Sequence, residues 1–293
     1  MTRTLVTGSA GRFGRSVVTA LADAGHEVIG VDTAPGTPAE AAAVLPADLT
    51  DLGEAFEVMS RFRPDAVVHL AAIATPFSRT DAFTYKVNTQ LAFNVCETAT
   101  GLGVERIVIA SSPTVIGYGT PAWAPAYLPI DEDHPVAPWN AYSLSKLVAE
   151  QVMATFARTS TAKLAAIRPC FVIAPEEWWR AHPVGTHDRR AAGPAEARRG
   201  VAVQLHRRPR RLRAGADPAG QTPRAAQRRG VLRGRGRRAG PRAPGRASPR
   251  INPATAGLAA GLTGSAPAFS SAKAGRLLGW QAKRSWRTEI GAL

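Results

Sequence analysis

The chain is 293 residues long, enough to bury a substantial core in one large domain or in a main domain with a smaller partner. Its net charge of +15 invites a nucleic-acid partner until its distribution is read: 19 arginines, no lysine and three acids lie between 187 and 250, whereas 18 bases face 19 acids elsewhere. No window approaches the run of about 18 apolar residues that a membrane span needs, and the opening lacks the charged and apolar succession of a secretory signal, so a cytoplasmic protein is expected.

Thr4-Leu5-Val6-Thr7 predicts a first strand. Residues 13–24 then carry apolar side chains at helical spacing (Val17, Val18, Leu21), and Gly25 stands where a helix stops. Residues 27–32 predict a second strand, 66–70 and 106–110 two more, and 164–169 another; residues 82–101 and 140–158 are helical in pattern. Strands alternating with helices make βαβ units, so the fold class is α/β with a doubly wound parallel sheet. Cys96 and Cys170 have no metal-ligand spacing and read as two buried thiols of a reducing compartment.

The block 187–250 breaks this pattern. It holds no Ile, Phe, Tyr, Trp, Met, Lys or Cys and is dominated by Arg, Ala, Gly and Pro. Such a segment buries too little apolar surface to offset chain entropy, so disorder is expected there. Ordinary patterning returns near Ile251, and 268–280 reads as a terminal helix and turn. The expected organisation is a dinucleotide-binding domain over 1–175 and a small substrate-side region over 176–293.

Gly8-Ser9-Ala10-Gly11-Arg12-Phe13-Gly14 follows a strand and opens a helix. Gly8 permits the tight turn, Gly11 lets backbone approach a pyrophosphate, and Gly14 lets helix and strand pack closely. The helix start offers free N–H groups and a positive dipole end to phosphates. Asp32 closes the second strand 18 residues beyond Gly14. A carboxylate there accepts from ribose hydroxyls and repels a 2′-phosphate, favouring NAD over NADP. Asp48 stands in a loop where adenine is expected, and Ser111-Ser112-Pro113-Thr114 puts hydroxyls at the carboxyl edge of the sheet. Tyr142 and Lys146, four apart, share one helix face. A phenol of pKa about 10 is too weakly acidic to serve as a base at neutral pH, and a neighbouring ammonium is expected to lower it.

Taken together, Thr7-Gly8-x-x-Gly11-x-x-Gly14, His69-Leu70-Ala71-Ala72, Asn88, Ser111-Ser112-x-Thr114-Val115, Tyr142-x-x-x-Lys146 and Ile167-Arg168-Pro169 resemble, in order, the extended short-chain dehydrogenases of the epimerase/dehydratase kind. The resemblance spans about 1–175 and implies a Rossmann fold, NAD as cofactor, a small-molecule substrate and no membrane. It makes Tyr142 the acid/base and Lys146 the ribose-binding partner. Ser112, with Thr114 as lesser candidate, orients the substrate hydroxyl, and Gly8, Gly11, Gly14, Asp32 and Asp48 serve the dinucleotide. It also implies a homodimer paired through 82–101 and 140–158.

Three departures weigh against a nucleotide-sugar substrate: Ile116 replaces the tyrosine of a Val-Tyr-Gly sequence, and Phe171 and Ala174 stand where asparagine and glycine are common. The family's Tyr-Ile-Asp-x-Arg-Asp stretch is missing. Codons that satisfy residues 203–211, read one nucleotide on, encode such a stretch, so a frameshift near 185 restored near 250 is the reading of the arginine block. The function implied is NAD-dependent hydride transfer at a secondary alcohol carbon of a sugar-like substrate. The alternatives are a catalytically impaired dinucleotide binder and, remotely, nucleic-acid binding through the block.

Overall fold

Leu5 and Val6 point to opposite faces of β1 (Arg3–Thr7), and each meets a different layer of helices. In the computed structural model, which describes residues 1–120, 123–170, 172, 205–206, 258, 262 and 267–282, this alternation organises the sheet. The remaining strands are β2 (Glu27–Asp32), β3 (Ala43–Pro46), β4 (Ala66–His69), β5 (Arg106–Ala110), β6 (Lys163–Ile167) and β7 (Leu205–His206). Their order is β3-β2-β1-β4-β5-β6-β7, parallel from β3 to β6, with β7 antiparallel at the edge. The chain winds outward from β1 to β3, then returns across β1 to β4. A crevice therefore opens at the carboxyl ends of β1 and β4, where the winding reverses.

On one face lie α2 (Leu52–Phe62), α3 (Asp81–Gly101) and α4 (Ala141–Thr159), with Leu5, Val31, Met59, Val95, Ile107 and Met153 packed in the same core. On the other lies α1 (Arg12–Asp23), whose Val18 packs on Val6 and Val28. Both faces of the sheet are covered, which is why its strands read as continuous apolar runs.

The predicted helices and strands lie within a residue or two of those observed. Three of these elements escaped prediction, β3, α2 and β7, the last a two-residue strand paired with β6 inside the block expected to be disordered. Strand β3 is a four-residue edge strand, half open to solvent, whose alternation is too short to stand out. Helix α2 does carry a start signal: the Asp51 carboxylate accepts from the Glu54 N–H at 3.0 Å. Helix α4 begins with a reciprocal cap, in which Asn140 Oδ1 accepts from Ser143 N–H and Ser143 Oγ from Asn140 N–H.

The predicted terminal helix is α5 (Ala272–Leu278), closed by Gly279 in the left-handed region. Just ahead of it, Phe269 forms a parallel bridge with Ile130: Ile130 N–H donates to Ala268 C=O and Ser270 N–H to Ile130 C=O, each at 2.7 Å. Ala274 is buried against Ala110 and Ile167. Of the block 187–250, only β7 is among the described residues; the disorder and reading-frame expectations for the remainder lie outside them.

Candidate active site

A cleft of about 1080 Å³ runs along the carboxyl edge of the sheet. It extends from the β2–β3 side, with Asp32 and Asp48, to the β5–β6 side, with Ser112, Tyr142, Lys146 and Pro169. Every site residue predicted from the sequence lines it: Gly8, Gly11, Gly14, Asp32, Asp48, Ser112, Thr114, Tyr142 and Lys146.

The glycine turn is built for close approach. Gly8 has φ +70°, and a Cβ there would stand 2.6 Å from the Ala71 backbone nitrogen. A Cβ on Gly14 would overlap the Gly8 carbonyl, so α1 packs on the turn only because that hydrogen is all there is. Gly11 is the N-cap of α1, with no side-chain cap and no acid in the first turn. No capping side chain therefore stands between the start of α1 and the cleft.

Asp32 is braced from both sides. Its Oδ2 accepts from Ala10 N–H at 3.0 Å and its Oδ1 from Ala34 N–H at 3.1 Å, leaving one lone pair on each oxygen for a ligand. Asp48 Oδ1 accepts from the N–H and hydroxyl of Thr50, at 3.0 and 2.8 Å. These features fit a dinucleotide: a side-chain-free cradle, a helix start without a side-chain cap, and a carboxylate with spare lone pairs, all lining one cleft.

Beneath the cradle, Thr7 Oγ1 accepts from Leu70 and Ala71 N–H, both at 3.1 Å, so its own proton goes to His69 Nδ1 at 2.7 Å. That leaves His69 neutral with its proton on Nε2. Burial first, and the Lys146 ammonium second, push the His69 pKa down to about 3. Asn88 ties the loop after β4 to α4, its amide exchanging hydrogen bonds with the Ile73 backbone and donating to Ser145 Oγ at 3.0 Å.

At the other end, Thr114 donates its N–H and its hydroxyl to Ser112 Oγ, at 3.2 and 3.0 Å. With both lone pairs taken, the Ser112 proton points to no other partner among the described residues, and Ser112 and the Tyr142 phenol line the same end of the cleft, where hydrogen bonding from Ser112 lowers the phenol pKa. Lys146 is buried and donates to the Ala110 carbonyl at 2.9 Å.

Two expectations are corrected. The phenol is raised and not lowered: burial is the largest influence on Tyr142. Lys146 spends one proton on Ala110, stands 5.9 Å from the centre of the Tyr142 ring, and is itself pushed down to about 8 by burial. Nor are both thiols buried. Cys96 is, and burial pushes it up to about 12, but Cys170 lies half-buried in the cleft wall.

Residues not singled out from the sequence also line the cleft. Tyr118 is one, held edge-on by Trp123 and Phe269 with ring centres 5.3 and 5.7 Å away. Ile116, the departure noted above, is a core residue packed with Val115 and Ile130. Gly117 and Gly119, both at positive φ, flank Tyr118 and turn the chain so that it faces the cleft. That glycine pair was the available signal.

A doubly wound sheet whose crevice joins a glycine turn to a serine, a tyrosine and a lysine is the architecture of the extended short-chain dehydrogenases. The chain belongs to the NAD dependent epimerase/dehydratase family, whose model matches residues 4–192. It is 36% identical over 157 residues to the UDP-glucose 4-epimerase of Azospirillum brasilense, covering 52% of this chain and 43% of that enzyme. A short-chain dehydrogenase/reductase superfamily protein from Agrobacterium tumefaciens, solved with bound NAD, is 32% identical with a TM-score of 0.50; the match covers 56% of this chain and 48% of that one. UDP-glucose 4-epimerase of Thermotoga maritima, solved with UDP-glucose, is 26% identical with a TM-score of 0.52, over 64% and 66% of the two chains. This chain spans about half the length of the curated relatives it matches. Among the described residues, no helix is long and apolar enough to cross a membrane.

Proposed function

We propose that the chain binds NAD in this cleft and that Tyr142 acts as acid/base in reversible oxidation of a secondary alcohol on a small, sugar-like substrate. The single observation that carries the reading is the convergence of Ser112, Tyr142 and Lys146 in the same cleft as the glycine cradle. NAD, when bound, accepts and returns a hydride. Gly8, Gly11 and Gly14 admit the pyrophosphate, and the spare lone pairs of Asp32 take the adenosine ribose hydroxyls, which disfavours NADP. Asp48 serves the adenine side. The Lys146 ammonium retains two protons for the nicotinamide ribose. Ser112 holds the substrate oxygen beside the Tyr142 phenol, which exchanges the alcohol proton.

Binding is tested by NAD quenching of the chain's six tryptophans, and chemistry by conversion of UDP-glucose to its 4-epimer, the reaction in the names of the relatives. Tyr142→Phe is expected to keep NAD binding and lose conversion. Unchanged conversion refutes the role of Tyr142.

A second reading, a dinucleotide binder without turnover, is favoured by one observation: the family match stops at residue 192, just inside the arginine-rich block. It predicts NAD binding with no conversion of any sugar nucleotide tried.

We also propose that two chains pair through α3 and α4. Phe93 on α3 is 45% exposed and packs edge-on with Phe156 of α4, with ring centres 5.7 Å apart, and Tyr85 of α3 is also exposed. Light scattering should give twice the chain mass, and Phe93→Asp should halve it; a monomeric parent refutes the pairing.

A further inference from the structure

Behind the catalytic side chains lies a second polar cluster that the reaction itself does not use. Arg168 donates from Nε to Glu150 Oε1 at 2.7 Å and from an Nη to Oε2 at 2.8 Å, a bidentate fork with both side chains 3% exposed or less. Ser111 Oγ donates to the same Oε1 at 2.5 Å. A buried charge pair is a poor choice for stability alone, because desolvation offsets much of the attraction and an apolar packing of equal volume serves as well or better. What the pair supplies is direction: a planar fork accepts one relative placement of its partners.

The three residues come from three elements, each adjacent to the chemistry. Glu150 lies one turn beyond Lys146 and two beyond Tyr142, on the same face of α4. Ser111 immediately precedes Ser112, and its N–H donates to Ile167 C=O, extending the pairing of β5 with β6. Arg168 directly precedes Pro169 and Cys170, which line the cleft. Helix α4 is thus tied to the end of β5 at two levels, by Lys146 to the Ala110 carbonyl and by Glu150 to Ser111, and to the end of β6 by Arg168.

We propose that Glu150 and Arg168 are positioning residues, whose buried fork, with Ser111, sets the height and rotation of α4 so that the Tyr142 phenol meets the Ser112 hydroxyl. The proposal rests on Tyr142 being the acid/base. Its physical content is that the Ser112–Tyr142 hydrogen bond loosens when the fork is removed.

The test needs neither cofactor nor substrate. In fluorotyrosine-labelled chain, which has four tyrosines, the Tyr142 fluorine resonance is assigned by its absence from Tyr142→Phe. Its ionisation midpoint is then read in the parent and in Glu150→Gln/Arg168→Gln, a swap that removes both charges together. Among the described residues, the titratable groups around this helix face are Lys146 and Glu150 on α4, Arg168 and Cys170 beyond β6, and His69, neutral, at the end of β4; Ser111 and Ser112, just past β5, add hydroxyls. Net charge around the phenol is therefore the same in both proteins, and a change reports geometry. Hydrogen bonding from Ser112 favours the phenolate, so its loosening should raise the midpoint.

An unchanged or lowered midpoint in the folded double variant overturns the proposal. If that variant does not fold, Ser111→Ala decides, since it keeps the charges and removes only one tie: a smaller rise supports the role and no rise overturns it. Should Tyr142→Phe prove fully active while the midpoint rises, the acid/base assignment fails and the tie between fork and phenol stands, so the two failures are distinguishable.

Discussion

Lys146 is a cation with almost no water around it, and replacing it with methionine should change how stability depends on pH. Burial lowers its pKa from 10.5 to about 8 in the folded chain. Between those values the unfolded chain binds the proton and the folded chain does not, so deprotonation favours folding and stability rises with pH. Below pH 8 both states are charged and the whole penalty is present. At 1.36 kcal/mol per unit, the shift corresponds to about 3 kcal/mol across the window. Other groups act in the opposite direction: burial raises Cys96 to about 12 and Cys170 to about 11, so their contribution falls as pH climbs above the thiol range. The comparison must therefore be between parent and Lys146→Met, in which the thiols cancel. Urea unfolding of the two apo proteins at pH 7.5 and 10.5 should show the parent gaining about 3 kcal/mol relative to the variant, with equal denaturant slopes. A difference that stays flat with pH would falsify the burial argument. Lys146→Met should also lose NAD affinity at either pH.

Gly14→Ala puts a methyl group into the Gly8 carbonyl, forcing α1 off the turn; NAD affinity should fall about thirtyfold, equivalent to about 2 kcal/mol, and an unaffected dissociation constant by tryptophan quenching refutes the cradle. Thr7→Val keeps the shape but leaves Ala71 N–H and His69 Nδ1 without their partner, so the thermal midpoint should drop with a loss of about 3 kcal/mol; a loss under about 1 kcal/mol contradicts the role given to that hydroxyl. The coding DNA across codons 180–255 should, in an alternate frame, encode a continuous family-like segment that joins the described chain again before the Phe269–Ile130 bridge. A confirmed sequence with no such frame makes the arginine block a genuine feature, to be tested for salt-dependent nucleic-acid binding.

Much of the site was legible in the chain because its signals are local. The Gly8–Gly14 spacing follows from the geometry of one strand-to-helix turn, Asp32 from its place at the end of the next strand, and Tyr142 with Lys146 from a single helical turn. None of these depends on distant residues. The Ser112–Thr114 hydroxyls were found in the same way, as the first residues past an apolar strand. Tyr118 was missed because its role depends on a turn at Gly117 and on Phe269, which lies 151 positions further along the chain.

The sequence by itself determined the fold class, the family and the positions of the chemistry-bearing side chains, since periodicity and motif spacing are properties of neighbours. Tertiary structure decided their protonation and aim. Whether a lysine lowers a tyrosine's pKa or is itself depressed depends on how much water reaches each, and Lys146 is buried where α4 meets the end of β5. The fork of Glu150 and Arg168, 18 positions apart on different elements, has no local signature at all. It exists only because the parallel sheet brings the end of β6 beneath the helix that carries Tyr142.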